Sequence, residues 1–205
     1  MTNSNGSARF LTEIERSDAM TEPLYSRLFK VIHELFVPEH LAVAEKLTEI
    51  AELYYEAGKF AEAEPLYWVS LGIREKVLGL EHREVALTLV NLANLYESQS
   101  RWPYAEVFYR QALQIMEKAL GPDHPDVALN CHNLASSYLA QEKYEEAELL
   151  FRRTLAFWES TLGPEHPQLA ARLDRHADLL RKLNRHAEAE KLEERSRRIR
   201  DQRSL

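Results

Sequence analysis

The sequence predicts an all-α solenoid, a fold in which similar helix pairs are stacked along the chain. The dipeptide Leu-Gly recurs every 42 residues, at Leu78-Gly79, Leu120-Gly121 and Leu162-Gly163. A fixed period of this length is typical of repeat proteins, whose units pack mainly on their neighbours. The composition also favours helices, because 45% of the residues are apolar, 29% are charged and only six are glycine.

Composition also restricts the class of partner. The formal net charge is −7, whereas phosphate binding requires a basic surface, so nucleic acid is not the expected partner. Cys131 is the only cysteine and cannot form an internal disulfide. No apolar run at the N-terminus resembles a signal peptide, and no stretch is long enough to span a membrane. The predicted setting is therefore cytoplasmic, away from the membrane.

The period divides the chain into segments. Residues 1–7 are small and polar and are predicted to be disordered. Residues 8–37 are interpreted as a degenerate half-repeat, because Glu22-Pro23-Leu24-Tyr25 matches Glu64-Pro65-Leu66-Tyr67 one period later. Three full repeats follow at 38–79, 80–121 and 122–163. The fourth, 164–205, ends in a polar helix from His186 that is typical of a terminal capping helix.

The first helix of each repeat carries a stripe of packing residues spaced three and four apart. Small residues on this stripe let two helices approach closely. The aligned sets are Ala44, Ala86, Ala128 and Ala170; Leu47, Leu89, Cys131 and Leu173; Ala51, Ala93, Ala135 and Ala177; and Tyr54, Tyr96, Tyr138 and Leu180. Cys131 replaces a leucine on this stripe and is predicted to be a buried, inert thiol.

The second helices are predicted to begin at equivalent positions and to end at the glycines, which supply a left-handed residue after the helix. The predicted starts are Lys59-Phe60, Arg101-Trp102, Lys143-Tyr144 and Arg185-His186, and the aligned packing alanines are Ala63, Ala105, Ala147 and Ala189.

One histidine recurs in each loop between repeats. Helix axes pack roughly 8–10 Å apart, whereas zinc–nitrogen bonds are about 2.0 Å, so equivalent histidines cannot share a metal ion. These residues are instead predicted to cap the next helix: His40, His82, His124 and His166. No glycine-rich phosphate loop and no nucleophile–base pair is found in the sequence. We therefore expect no metal, no cofactor and no enzymatic activity.

The pattern Leu92-Ala93…Tyr96…Ala105…Tyr109, repeated as Leu134-Ala135…Tyr138…Ala147…Phe151, resembles the tetratricopeptide repeat (TPR). The longer period and the phrases LGPDHPDVA and NLASSYLAQEKYEEAE resemble the kinesin light chain subclass. The resemblance covers residues 38–200. It implies a right-handed superhelix of antiparallel helix pairs, with the first helices lining a concave groove.

The resemblance also implies that groove contacts come from positions flanking the central alanine of each first helix. The candidates are Thr48, Glu49 and Glu52 in repeat one; Asn91 and Asn94 in repeat two; His132, Asn133 and Ser136 in repeat three; and Arg175 and Arg181 in repeat four. Asn91 and Asn133 are equivalent, and an amide can both donate to and accept from a peptide backbone. A plain alternative is that these are solvated helix residues.

The leading hypothesis is therefore a non-enzymatic adaptor that binds an extended peptide. Its ligand is expected to carry a basic residue toward repeat one and an acidic residue toward repeat four. A second hypothesis is a self-associating scaffold. The segment Leu24–Phe36 is apolar nearly all round, so either Phe10, Leu11 and Ile14 fold back on it or a second chain covers it and forms a homodimer.

Overall fold

The protein is described from a computed structural model, which covers residues 41–201. This range contains eight helices and no strand. The helices are α1 Leu41–Glu56, α2 Phe60–Leu78, α3 Arg83–Ser98, α4 Trp102–Leu120, α5 Pro125–Ala140, α6 Tyr144–Leu162, α7 Leu169–Lys182 and α8 His186–Asp201. The predicted all-α fold of helix pairs is confirmed, as are the starts of the second helices.

Several expectations fall on residues 1–40 and 202–205, which lie outside the described residues. They are the disordered start, the half-repeat with its helix Leu24–Phe36, the contacts of Phe10, Leu11 and Ile14, and the capping role of His40.

The chain forms two compact units, and the boundary falls within α3. In the first unit, described over residues 41–95, α1 packs on α2. In the second unit, described over residues 96–201, each helix from α4 to α8 packs on the next. The first helices α5 and α7 are also in contact. In the second unit, two first helices therefore lie side by side.

The alanine register is confirmed by burial. The central alanines Ala51, Ala93, Ala135 and Ala177 are at most 1% exposed, and Ala63, Ala105, Ala147 and Ala189 of the second helices are fully buried. Cys131 is fully buried as predicted, and burial raises the pKa of its thiol to about 11. Tyr54 is exposed at 36%, against 2% for Tyr96, and Leu47 and Tyr138 on the same stripe are half-buried.

The predicted capping role of the loop histidines is confirmed for His82 and His124, and His166 makes a similar contact in the turn before α7. Nδ1 of His82 accepts from the backbone N–H of Glu84 at 3.1 Å, and Nδ1 of His124 accepts from Asp126 at the same distance. Nδ1 of His166 accepts from the N–H of Gln168 at 3.3 Å. His82 and His124 thus each satisfy one of the backbone donors that a helix start leaves without a partner.

The glycines that end the second helices have positive φ, but their ψ differs from the expected left-handed value. Gly121 has φ 87° and ψ 159°, and Gly79 and Gly163 agree within two degrees. The left-handed helical region lies near ψ +47°, whereas this extended region at positive φ is essentially restricted to glycine. The chain therefore leaves each second helix in an extended direction.

A matched pair of leucines on α5 tests the packing register. Leu134 is 3% exposed and Leu129 is 49% exposed. We expect Leu134→Ala to lower the free energy of unfolding by about 2–5 kcal/mol, because it leaves a cavity in the core. Leu129→Ala makes the same chemical change on the same helix and should cost about 0.5 kcal/mol or less. Urea unfolding measures both, and equal effects would contradict the register.

Candidate functional site

Thr48 lies in the interface between α1 and α2. It is 9% exposed, and its hydroxyl donates to the carbonyl oxygen of Ala44 at 3.0 Å. The same hydroxyl lies 2.8 Å from Oγ of Ser70 on α2. Of the candidate groove residues, Thr48 is therefore turned toward the core of the first unit, away from solvent.

A buried arginine organises this part of the first unit. Arg74 of α2 is 8% exposed, and its Nη1 lies within hydrogen-bond distance of three hydroxyls, at 2.9 Å from Thr48, 2.9 Å from Ser70 and 2.6 Å from Thr88. The carboxylate of Glu84 lies 3.9 Å from Nη2. Burial lowers the pKa of Arg74, but a guanidinium remains charged at neutral pH. The network ties α1, α2 and α3 together, and periodicity gave no indication of it.

The other candidates of the first unit form a polar surface. Glu49 is exposed and pairs with Lys46 at 2.7 Å. Glu52 of α1 is exposed and accepts a hydrogen bond from Nδ2 of Asn91 on α3 at 3.3 Å. Asn94 is half-buried. The structure therefore brings Glu52 and Asn91 together, so an acidic and an amide side chain from two first helices meet.

In the second unit, the three candidates of α5 are all half-buried. Nδ1 of His132 is buried without a hydrogen-bond partner, and the ring packs edge-on against Phe151 with 5.5 Å between centroids. Ser136 donates to the backbone carbonyl of His132 at 3.1 Å. Within residues 41–201, the amide of Asn133 forms no hydrogen bond. Asn133 is thus a polar group with open hydrogen-bonding capacity.

The two arginines of α7 differ in their contacts. Both nitrogens of the Arg181 fork donate to the carboxylate of Glu193 on α8, at 2.6 and 2.8 Å, so this guanidinium is held by the capping helix. Arg175 is exposed and forms no hydrogen bond or ion pair in the described part of the chain. Its positive charge opposes the rise that burial causes in the pKa of Glu97 and adds to the fall that burial causes in the pKa of His132, which places the three groups within electrostatic reach of one another.

Burial shifts the protonation of the groups around Arg175. Burial is the main cause that lowers the pKa of His132 to about 4, and Arg172 and Arg175 lower it further. His132 is therefore neutral at physiological pH. Burial raises the pKa of Glu97, and the hydroxyl of Tyr109 donates to its carboxylate at 2.5 Å. The second unit thus presents a carboxylate, a neutral imidazole and a guanidinium on neighbouring helices.

Sequence reasoning missed two contributors to this surface. The sequence identified Tyr109 only as part of the repeat pattern, although its hydroxyl donates to the carboxylate of Glu97. Arg172 lies over the ring of Trp158 at 4.5 Å and donates to the carbonyl of Gln168 at 2.7 Å. The sequence could have drawn attention to Arg172, because it is a basic residue that directly follows two alanines in the first turn of α7.

Residues 41–201 contain no group of three or more histidine, cysteine or acidic side chains that could hold a metal ion. Over the same residues, no helix has both the length and the apolar character to cross a bilayer.

Stacked antiparallel helix pairs with buried alanines at fixed positions define the chain as a helical repeat protein. The family model described as tetratricopeptide repeat matches residues 42–118, 84–160 and 129–202, and the chain belongs to this family. Repeats of this family mediate protein–protein interaction and act as non-catalytic scaffolds.

Solved structures place the chain among kinesin light chain-like repeat proteins. A Podosopora anserina putative kinesin light chain with nearly identical TPR-like repeats is 26% identical, with a TM-score of 0.69 over 87% of this chain and 85% of that one. BtubC (BKLC) from P. vanneervenii is 22% identical, with a TM-score of 0.74 over 88% and 72% of the two chains, and shares the fold. MamA is 14% identical at a TM-score of 0.59, over 88% and 86% of the two chains. No curated protein matches the sequence.

Proposed function

We propose that this chain is an adaptor that binds an extended peptide segment of a protein partner on the face where α5 and α7 meet. The observation that carries the proposal is the pair Asn133 and Arg175. Both are polar, both are accessible, and neither is engaged by another described side chain. Asn133 and Arg175 also stand one period apart on two first helices that are in contact, so an extended peptide lying across α5 and α7 would meet both.

The chemistry of the pair fits an extended peptide with an acidic residue. The Asn133 amide can donate to a backbone carbonyl and accept from a backbone N–H, so it recognises peptide backbone of any sequence. The Arg175 guanidinium can hold a carboxylate through two parallel hydrogen bonds. The His132 ring beside them adds no charge, because burial lowers its pKa and keeps it neutral.

The first unit favours a ligand residue of the opposite charge to the one that Arg175 favours. Glu52 is exposed and linked to the Asn91 amide, so this surface favours a basic residue. Thr48 and Arg181 have no part in the proposal, because Arg74 and Glu193 already engage them. A segment that binds the first unit is thus expected to carry a basic residue, and a segment that binds the second unit is expected to carry an acidic residue.

Charge reversal at Arg175 tests the proposal. A peptide-array screen against the purified full-length chain would supply the ligand, and its affinity would then be measured by calorimetry. We expect Arg175→Glu to weaken binding by about tenfold to a hundredfold, since a charge-assisted hydrogen bond contributes about 1.5–3 kcal/mol. Arg197→Glu on α8 changes the net charge equally at another exposed arginine and should leave affinity unchanged. Equal losses of peptide affinity in the two variants would show that the effect comes from overall charge and not from a contact of Arg175.

The double variant Asn91→Leu with Asn133→Leu provides a second test of peptide binding. We expect it to abolish binding and to leave the helix content unchanged by circular dichroism. A selected peptide that still binds this variant with full affinity would place the site elsewhere on the chain.

The second candidate function is self-association as a scaffold through the apolar segment Leu24–Phe36, and the exposed apolar residues of α1 support it. Ile50 is 44% exposed and Leu53 is 66% exposed. Light scattering over a concentration series distinguishes this function from an adaptor. A mass of one chain at every concentration would remove it.

A further inference from the structure

The apolar side of α1 formed by Ile50 and Leu53, the α1 face, is uncovered among the described residues. The equivalent residues one, two and three periods later are buried. The counterparts of Ile50 are at most 7% exposed, and those of Leu53 are fully buried: Leu92, Leu134 and His176, and Leu95, Ser137 and Leu179, respectively. The same position on a first helix is therefore a packing position in every later repeat.

The second unit shows what covers this position. Leu179 and His176 of α7 both contact Phe151, which lies on α6, the second helix of the preceding repeat. The Phe151 and His176 rings stack with 6.1 Å between centroids. Three periods of 42 residues carry Leu179 to Leu53, His176 to Ile50 and Phe151 to Tyr25. Tyr25 belongs to the Glu22–Tyr25 copy of the repeat motif, so the register supplies an aromatic partner for the α1 face.

An ion pair between successive repeats recurs with the same 42-residue spacing. Nζ of Lys143 lies 2.5 Å from the carboxylate of Glu106, and Nη1 of Arg185 lies 2.6 Å from that of Glu148. These two pairs are one period apart. Carried back to the first repeat, the basic position is Lys59 and the acidic position is Glu22. Both residues have the required charge.

We propose that the α1 face is the docking site of the chain's own segment 22–36, with Tyr25 against Ile50 and Leu53, and Glu22 paired with Lys59. The segment lies outside the described residues, and the assignment rests on the repeat register. The chain's own segment is favoured over a second copy because it joins α1 through only a few residues, which gives it a high effective concentration. The proposal is independent of peptide binding.

Cross-linking distinguishes the possible occupants. The full-length chain would carry Glu22→Cys and Lys59→Cys in a Cys131→Ala background and would react with a short bismaleimide. We expect a link within one chain, seen as the joined tryptic peptides at the mass of a single chain. Glu148→Cys with Arg185→Cys is the positive control, because the structure shows that pair in contact. Glu22→Cys with Lys46→Cys is the negative control, since Lys46 lies about 15 Å along α1 from the helix end that precedes Lys59.

A link between two chains would assign the α1 face to a second copy and overturn the proposal. Absence of any link while the positive control reacts would also overturn it.

Leu53 and Leu149 give a measurement that does not depend on cross-linking. They are 66% and 70% exposed among the described residues, so equal effects of Leu53→Asp and Leu149→Asp are expected if the α1 face is bare. If segment 22–36 covers it, Leu53→Asp should lower the thermal midpoint of the full-length chain by about 5–10 °C, whereas Leu149→Asp should shift it by about 1–2 °C or less. Equal shifts for the two variants would overturn the proposal.

Discussion

Phe151→Ala is expected to lower the free energy of unfolding by about 3–5 kcal/mol, among the largest losses that one substitution in this chain can produce. Phe151 is 2% exposed and belongs to a cluster with Ala135, Ala147 and Leu179. These residues come from α5, α6 and α7, so the ring joins three consecutive helices of the second unit. Its removal leaves a cavity that small neighbouring alanines cannot fill.

Leu149→Ala is the matched control, because Leu149 lies on the same helix and is 70% exposed. We expect it to change the unfolding free energy by about 0.5 kcal/mol or less. Phe151→Leu should lie between the two, since it keeps part of the buried volume. Urea denaturation followed by circular dichroism measures all three. Similar midpoints for Phe151→Ala and Leu149→Ala would show that the second unit does not depend on this cluster.

The parts of the fold that follow from repetition were predictable from sequence. The positions of Ala135 and Ala147 follow from the period because two helices can approach closely only at small residues. The capping role of His124 followed from its place just before Pro125, where a helix begins. Each inference uses residues close in sequence or related by one period.

The polar contacts were less predictable, because they depend on how neighbouring helices cross. Thr48 was assigned to the groove from its distance to the central alanine, yet its neighbour across the helix interface is Arg74. Arg181 was assigned as an open basic group, yet α8 places Glu193 within 2.6 Å of it. A polar residue at the edge of a helix face can turn to either side. The choice depends on a partner distant in sequence, which periodicity does not identify.

Acidification is expected to destabilise the second unit through its buried histidines. The folded state holds His132 with a pKa of about 4, and burial also lowers the pKa of His176, whose two ring nitrogens are buried without hydrogen bonds. An unfolded histidine has a pKa of about 6.5, so the unfolded state binds more protons below that pH. The free energy of unfolding therefore falls as the pH drops from about 6.5 to about 4, by about 3 kcal/mol for His132 alone.

The charged groups around these histidines determine how the effect is isolated. Arg172 and Arg175 oppose protonation of His132. Around His176, Arg152 and Arg185 oppose protonation, while Glu148 and Glu188 favour it. The pKa of Glu188 itself is lowered, mainly by its hydrogen bond from Arg185, so its stabilising contribution is lost only as the pH falls below the ordinary carboxyl range. Burial raises the pKa of Glu97, so the interval between about pH 6.5 and about pH 5 reports on the histidines together with Glu97.

His132→Gln keeps a polar side chain of similar size and removes the titration. We expect the free energy of unfolding to fall less steeply with decreasing pH in the variant than in the parent chain. The two slopes should differ by at most about 1.4 kcal/mol per pH unit, the effect of one proton. Urea unfolding at several pH values measures the slope, and an NMR titration of the His132 ring in the folded parent chain measures its pKa directly. An unchanged slope in His132→Gln, together with a folded pKa near the ordinary value, would contradict the burial of an uncharged His132 between α5 and α6.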